Sequence, residues 1–481
     1  MKHEETLDPS DWDEIRKFGH TMIDDMIDYL RDVRERPIWK TIPESTLQFY
    51  EQGVPKEGRD LAEIYKDIQQ HILAYPMGNI HPRFWGWVIG TGTIEASMAD
   101  FMASVMNSNG GGGNHAANHI ENQVIAWSKE MLGFPEESSG LITSGASMAN
   151  LVGLTVARHH QVNHDIRKTG VSDHKLRFYG SVEMHSCIQK SIELLGIGYD
   201  NLVKIPVDDD YRVDTALLEK AIQEDLDNGL EPVCIIGNLG TVNTGAVDDL
   251  ETLADLAEQY KLWFHVDGAF GAITRITPSY NHLAMGMERA DSLAFDFHKW
   301  MYINYEAGCI LIKHKKSHYQ SFSLTPEYLS HNPRGVHGGD LWFSDYGIEL
   351  SRGFKGLKIW TAISDHGLDK FGRLAEQNIE QAKYLTELVE NTPQLELMAP
   401  TSMNIVCFRY TAEHTDLNAL NEEILIRLHE QAIAVPSYTT LQGNYVIRVA
   451  NTNHRSTLQD FDILVEGVVR IGNEIYQDYS V

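Results

Sequence analysis

Cysteine is scarce in this 481-residue chain, and the four present, Cys187, Cys234, Cys309 and Cys407, stand far apart. With no CxxC pair, neither a zinc-ribbon spacing nor a dithiol redox motif is available. Lone thiols in so long a chain read as small buried hydrophobes in a reducing compartment, so a cytoplasmic protein is expected. Long apolar runs are missing as well. Nothing approaches the roughly 20 residues needed to span a bilayer, and the opening MKHEETLDPSDWDE lacks both the basic stretch and the apolar core of a secretion signal. Positive charge is short too: 40 Lys and Arg against 68 Asp and Glu leave a formal charge of −28. A surface of that sign repels phosphate backbones and anionic headgroups, which argues against nucleic acid and membrane partners. Apart from four glycines at 110–113 there is no low-complexity segment, and there is no internal repeat.

What remains is the composition of a soluble globular protein, 42% hydrophobic and 22% charged, long enough for two or three domains. Residues 11–34 place Phe18, Met22, Met26, Ile27 and Leu30 at helical spacing among charges. An extended arm follows, then a second helix near 61–74. This N-terminal segment, 1–85, has little core of its own and is expected to pack as a dimerisation element. From Glu121 short apolar runs (GLIT, RFYGSV, LVKIPV, PVCIIGNLGT, LWFHVD, SLAFDF, GCILIK) alternate with helical stretches. That alternation predicts a mostly parallel α/β sheet covered by helices over 86–360, with ligands beyond the carboxyl ends of the strands. The stretch from His318 to Gly347 is poor in pattern and reads as a long loop or lid. Residues 361–481 read as a small α+β domain with strands MNIVCFRY and NYVIRVA.

Chemistry-bearing residues gather at the predicted strand ends. Asp267 closes LWFHVD and Lys299 follows SLAFDF, with His298 before it. A lysine alone is commonly a solvated one with its stem on apolar surface; at a buried strand end its charge is costly, and it is poised as an amine nucleophile. In GLITSGAS a strand turns through Thr143, Ser144, Gly145, Ala146 and Ser147 into a helix, a concentration of small and hydroxyl residues suited to a phosphate; an ordinary helix cap would need one of them. His185 and Thr241 also follow strands. Trp85 and Trp87 in HPRFWGWV suit a core cluster as well as a substrate wall. His115 and His119 lie four apart but lack an HExxH pattern or a partnering carboxylate, so no metal is expected. The glycine run predicts a loop whose backbone lies close against something.

A phosphate site, a nucleophilic lysine, an aspartate and a histidine at one sheet edge meet the needs of pyridoxal phosphate: the lysine binds the aldehyde, the aspartate keeps the pyridine nitrogen protonated, and the histidine stacks on the ring. Over nearly its whole length the chain also resembles the group II PLP-dependent amino acid decarboxylases, close to those for aromatic amino acids. HKW (His298, Lys299, Trp300), HVDGAFG, SVEMHSCIQK, TSGAS, NLGTVNTGAVD and LTPEYL carry the resemblance. It implies PLP transferase fold type I and a homodimer with the active site at the subunit interface. Lys299 would be the Schiff-base lysine, Asp267 the pyridine-nitrogen contact, Ala269 a support of the ring and His185 the stacking histidine. Ala146, Ser147, Thr241 and His298 would be further cofactor contacts, and Tyr328 the acid that protonates the substrate carbon after carbon dioxide leaves. Trp85, Trp87, Asn109 in the glycine loop and Ser351 in LSRGF would meet the substrate. Phe297 stands where the family usually has proline, and the loop 107–114 is polar and glycine-rich where relatives carry apolar side chains. The implied reaction is decarboxylation of an aromatic L-amino acid to its amine. The alternatives are an acidic or other polar amino acid as substrate, oxidation to an aldehyde, and a PLP-fold protein that binds without turnover. The last requires a broken catalytic set, and the set here is complete.

Overall fold

The computed structural model describes residues 5–162, 166–172, 174–324 and 334–479. Twelve strands are described: β1 (Phe84–Trp85), β2 (Ser139–Thr143), β3 (Leu176–Ser181), β4 (Leu202–Ile205), β5 (Glu231–Asn238), β6 (Trp263–Asp267), β7 (Ser292–Asp296), β8 (Gly308–Ile312), β9 (Leu395–Leu397), β10 (Ile405–Tyr410), β11 (Val435–Leu441) and β12 (Asn444–Ala450). Every residue of β2, β6, β7 and β8 is buried. This is what near-continuous apolar runs become when helices cover both faces of a sheet.

The larger sheet has seven strands in the order β2-β8-β7-β6-β5-β3-β4. The pairs β7–β6, β6–β5, β5–β3 and β3–β4 are parallel, while β8 runs antiparallel to both neighbours. Two successive reversals bring β2 back into line with β7. The carboxyl ends of β2, β3, β5, β6 and β7 therefore share one edge. The smaller sheet, β1-β11-β12-β10-β9, is antiparallel except at β1, which pairs parallel to β11 and brings a piece of the N-terminal half into the C-terminal sheet.

The amphipathic pattern of 11–34 is a helix over Trp12–Arg31, with the Asp11 carboxylate accepting from the N–H groups of Asp13 and Glu14. The arm read as extended contains a helix, Glu44–Tyr50, and the stretch read as patternless begins inside another, Lys315–Phe322. Both are short, and seven or eight residues give too few turns for an apolar stripe to stand out.

Buried histidines make the fold sensitive to acid. His318, on the helix Lys315–Phe322, meets Ser139 Oγ at 2.9 Å and the Tyr346 carbonyl at 2.7 Å, and burial pushes its pKa down to about 3. Burial likewise takes His265 in β6 down to about 4. Folded values below the unfolded one mean that the unfolded chain binds more protons in between. The stability these histidines provide is full above about pH 6.5 and falls as pH drops toward 4, by about 1.4 kcal/mol per pH unit for each. Urea unfolding at pH 6.5 and 4.5 is expected to show a loss of at least a few kcal/mol; equal stabilities would contradict the assignment.

Candidate active site

The shared strand edge opens into a cavity of about 500 Å³, lined by Trp87, Val88, the turn from Ser144 to Met148, His185, Cys187, Asn238, Gly240, Val242, Asp267, Ala269, Phe270, Asp296, His298, Lys299, Tyr305 and Glu306. Register explains the gathering. Asn238 is paired with Asp267 and Asp267 with Ala294, so the ends of β5, β6 and β7 deliver their side chains side by side.

At one end of the cavity the helix Ala146–Gln161 begins. Gly145 precedes it, and no side chain caps it. An uncapped first turn directs N–H groups and the positive end of the helix dipole at the same point, which suits a phosphate. Room for the turn comes from glycines: a Cβ on Gly308 would lie 2.5 Å from Gly145 Cα and 2.7 Å from Asp296 Oδ1.

Lys299 is partly exposed, and its ammonium is paired with Asp296 Oδ2 at 3.1 Å. The strand end that makes this lysine costly to bury thus also supplies its counter-charge. Asp296 was not among the residues singled out by the sequence. It is buried, its Oδ1 has no partner among the described residues, and His298 Nε2 lies 3.6 Å from its Oδ2. His298 accepts the Ala307 N–H on Nδ1 at 3.0 Å, and burial lowers its pKa, so the neutral ring carries its proton on Nε2. The ring of Tyr305 lies over it, with centroids 4.2 Å apart. Phe297 is wholly buried against Phe295, ring to ring at 4.9 Å.

Asp267 is buried at the end of the neighbouring strand, β6. Its Oδ2 accepts from Asn150 Nδ2 at 3.0 Å and its Oδ1 from the Ala269 N–H at 3.1 Å. A carboxylate held by two donors at a cavity wall is a fixed anion for a cationic ring nitrogen. His185 caps the helix Ser186–Leu194 by accepting the Cys187 N–H on Nδ1 at 3.2 Å. Desolvation lowers its pKa, offset in part by Asp267, which leaves a neutral ring with its N–H on Nε2. An amine at one side, a buried carboxylate at another, an anion-ready helix end and a neutral imidazole are the set that pyridoxal phosphate requires, and the residues present fit it.

Of the residues nominated from sequence, Ala146, Ser147, His185, Asp267, Ala269, His298, Lys299 and Trp87 line the cavity. Trp87 is 59% exposed, its φ is 53°, and Arg448 Nη1 donates to its carbonyl at 3.0 Å. Four other nominations do not line this chain's cavity. Trp85 is buried in the core of the smaller sheet, stacked on Phe461 at 4.7 Å with its indole N–H on Ser456 Oγ. Thr241 lies between two lining residues, but its hydroxyl is turned inward to Thr244 Oγ1 and the Ala246 N–H. Asn109 and Ser351 are exposed and do not line this chain's cavity. Tyr328 lies outside the described residues.

The glycine loop does lie close against other backbone, as its composition predicts. A Cβ on Gly111 would fall 2.1 Å from the Leu350 carbonyl oxygen, and one on Gly112 2.3 Å from the Trp342 ring. Asn109 Oδ1 accepts from the N–H groups of Gly111 and Arg352. Arg352, wholly enclosed, donates to the Gly110 carbonyl at 3.0 Å, to the Ile142 carbonyl at 2.5 Å and to Glu121, whose Oε1 in turn accepts the Ile142 N–H. Removing the arginine strands a buried carboxylate, so Arg352→Ala is expected to cost about 3–5 kcal/mol in chemical unfolding. A loss within experimental error of zero would mean that the pair carries no such weight.

Comparison with known proteins agrees with this chemistry. Residues 43–411 match the model of the pyridoxal-dependent decarboxylase conserved domain. The chain is 31% identical over 474 residues to an aromatic-L-amino-acid decarboxylase of Bacillus atrophaeus, covering 97% of each. It is 26% identical over 464 residues to a phenylacetaldehyde synthase of Petunia hybrida, covering 92% of this chain and 90% of the relative. Its structure superposes on the crystal structure of Oryza sativa TDC with PLP and tryptamine with a TM-score of 0.90 at 26% identity, covering 98% of this chain and 100% of the other. Agreement of this extent, on a cleft already furnished for the cofactor, makes the chain a member of the pyridoxal-dependent decarboxylases: an amino acid decarboxylase of PLP fold type I with pyridoxal phosphate as its cofactor.

Proposed function

We propose that this decarboxylase removes the α-carboxylate of an aromatic L-amino acid as carbon dioxide and releases the amine. The observation that carries the choice of substrate is the lining of the cavity: Trp87, Val88, Val242, Phe270 and Tyr305 contribute to it, and among the described lining residues Lys299 is the one Lys or Arg. An acidic side chain would need a second cation there. The names of the relatives point the same way. Pyridoxal phosphate, when bound, links to the substrate amine and takes up the electron pair that departing carbon dioxide leaves behind.

The chain's own groups do the rest. Lys299 would hold the cofactor by its aldehyde carbon; freed from it, and having taken the proton that the substrate ammonium gives up, it would pair as an ammonium with Asp296. Asp267 would stabilise the proton on the pyridine nitrogen of the bound cofactor. His185 would stack on the ring, its Nδ1 occupied by the Cys187 N–H and its own N–H on Nε2. Ala146 and Ser147 supply first-turn contacts to the phosphate, and Tyr328 returns a proton to the substrate carbon. Incubation with a panel of all common amino acids and DOPA, with amine and carbon dioxide both quantified, tests the reading. Equimolar amine and carbon dioxide from aromatic substrates support it; turnover confined to glutamate, aspartate or cysteine sulfinate would overturn it.

Tyr328 decides between amine and aldehyde. Tyr328→Phe is expected to slow amine release by about 10²-fold or more and to raise aldehyde, with dioxygen consumed and ammonia and peroxide formed. Unchanged amine turnover would remove Tyr328 from the proton step.

Two further proposals concern assembly and place. The helix Trp12–Arg31 buries none of its residues, leaving Trp12, Ile15, Ile23 and Ile27 exposed, and the helix Ile94–Met106 presents Met98, Phe101, Met102, Val105 and Met106. Apolar stripes of this size call for a covering surface, and a second copy of the chain supplies one. Light scattering at micromolar concentration is expected to give the mass of two chains; one chain's mass would refute the dimer. The four cysteines are unpaired and buried, and among the described residues no helix is long and apolar enough to cross a membrane, which supports the cytoplasm as its place. Fractionation of the producing cells would check it.

A further inference from the structure

Behind Asp267 lies a line of side chains that takes no part in lining the cavity. Trp263, His265 and Asp267 alternate along β6 and so face the same way, toward the helix Ala146–Gln161 that carries Asn150. Ser292 is the register partner of His265 on β7. Trp263 Nε1 meets Ser292 Oγ at 2.7 Å, Ser292 Oγ meets His265 Nδ1 at 2.7 Å, His265 Nε2 meets Asn150 Oδ1 at 2.8 Å, and Asn150 Nδ2 meets Asp267 Oδ2 at 3.0 Å. Asn150, His265 and Ser292 are wholly buried.

The two ends of this line fix its polarity. An ionised carboxylate only accepts, so the Asn150 NH₂ faces Asp267, with a further contact to Cys187 Sγ at 3.3 Å, and its carbonyl oxygen faces His265. His265 must then donate from Nε2. An indole N–H only donates, so Ser292 accepts from Trp263 and gives its own proton to His265 Nδ1. Each group has the one role its neighbours leave it, and every donor points toward Asp267. The helix makes space for this at Gly153, where a Cβ would lie 2.9 Å from His265 Cε1.

We propose that Ser292, His265 and Asn150 are positioning residues that act through Asp267, holding it in one rotamer as an anion so that the proton stays on the cofactor's pyridine nitrogen. This rests on the reading that Asp267 faces that nitrogen. Without the line, Asp267 retains a single protein donor among the described residues, the Ala269 N–H, and a poorly held buried carboxylate takes the ring proton for itself. The ring nitrogen then becomes neutral and a weaker electron sink.

The test is solid-state NMR of the holoenzyme loaded with pyridine-¹⁵N-labelled pyridoxal phosphate, with steady-state kinetics alongside. In Asn150→Leu and His265→Phe the ring-nitrogen resonance is expected to move from the protonated to the unprotonated range, and kcat to fall about 10–100-fold with KM little changed. His265→Gln keeps an N–H for Asn150 and is expected to recover most of both. Asp267→Ala is the control. If that variant leaves the resonance where it was, the placement of Asp267 at the nitrogen fails. If Asp267→Ala moves it while Asn150→Leu and His265→Phe do not, the positioning role fails and the placement stands. In the wild-type enzyme, which needs no variant to fold, ¹⁵N-histidine labelling is expected to find His265 neutral with its proton on Nε2; a proton on Nδ1 would overturn the polarity.

Discussion

Lys299→Ala is expected to abolish the visible absorbance of the bound cofactor and to lower decarboxylation by on the order of 10⁴-fold or more. The size of the effect follows from what the amine supplies. In the proposed mechanism it forms the covalent link that holds the cofactor and gives way to the substrate amine, and no other Lys or Arg among the described residues lines the cavity to replace it. The substitution has a second consequence. Asp296, buried with one oxygen unpartnered among the described residues, loses the ammonium that lies 3.1 Å from the other. A residual buried carboxylate without a cation is costly, so the apoprotein of the variant should unfold at lower urea than the wild-type apoprotein. An unchanged spectrum would remove Lys299 from the mechanism.

Asp267→Ala comes next, with an expected loss on the order of 10³-fold in kcat. In the proposed mechanism the carboxylate is the fixed anion facing the pyridine nitrogen, and a ring without its proton accepts an electron pair far less readily. Because Asp267 is held by Asn150 and by the Ala269 N–H, its removal also leaves the Asn150 amide donor with Cys187 Sγ alone. Binding of the cofactor should survive through Lys299 and the helix end, which separates this variant from Lys299→Ala: the visible band should remain, shifted, while turnover collapses. Activity within tenfold of wild type would show that the nitrogen is not served by Asp267.

How much of this was legible beforehand depended on which physical signal each residue leaves in the sequence. The strands of the larger sheet stood out because both faces are buried and the runs are apolar throughout. Strand direction leaves no such trace: nothing in GLIT or GCILI says that β8 is antiparallel to its neighbours, yet that reversal is what carries the TSGAS turn to the same edge as Lys299. Asp267 and Lys299 were visible as polar residues closing apolar runs. Asp296 closes such a run equally, and its place three residues before the lysine was the available sign. Trp85 and Trp87 could not be separated by composition; pairing of Phe84–Trp85 with β11 turns one into the core, and a positive φ turns the other outward. Thr241 follows its strand as the sequence suggests, and its hydroxyl closes a local turn, an orientation that leaves no mark in sequence. Asn150 sits on a helix face with no distinguishing neighbour in sequence, and its role exists only through contacts to residues more than a hundred positions away.

The central claim, that this fold is built around a cofactor carried by Lys299, is tested most directly by trapping. The holoenzyme is reduced with borohydride, digested and mapped by mass spectrometry. A pyridoxyl group is expected on Lys299, in the peptide containing His298 and Trp300; the modification on any other lysine, or none in an enzyme that turns over, would contradict that claim.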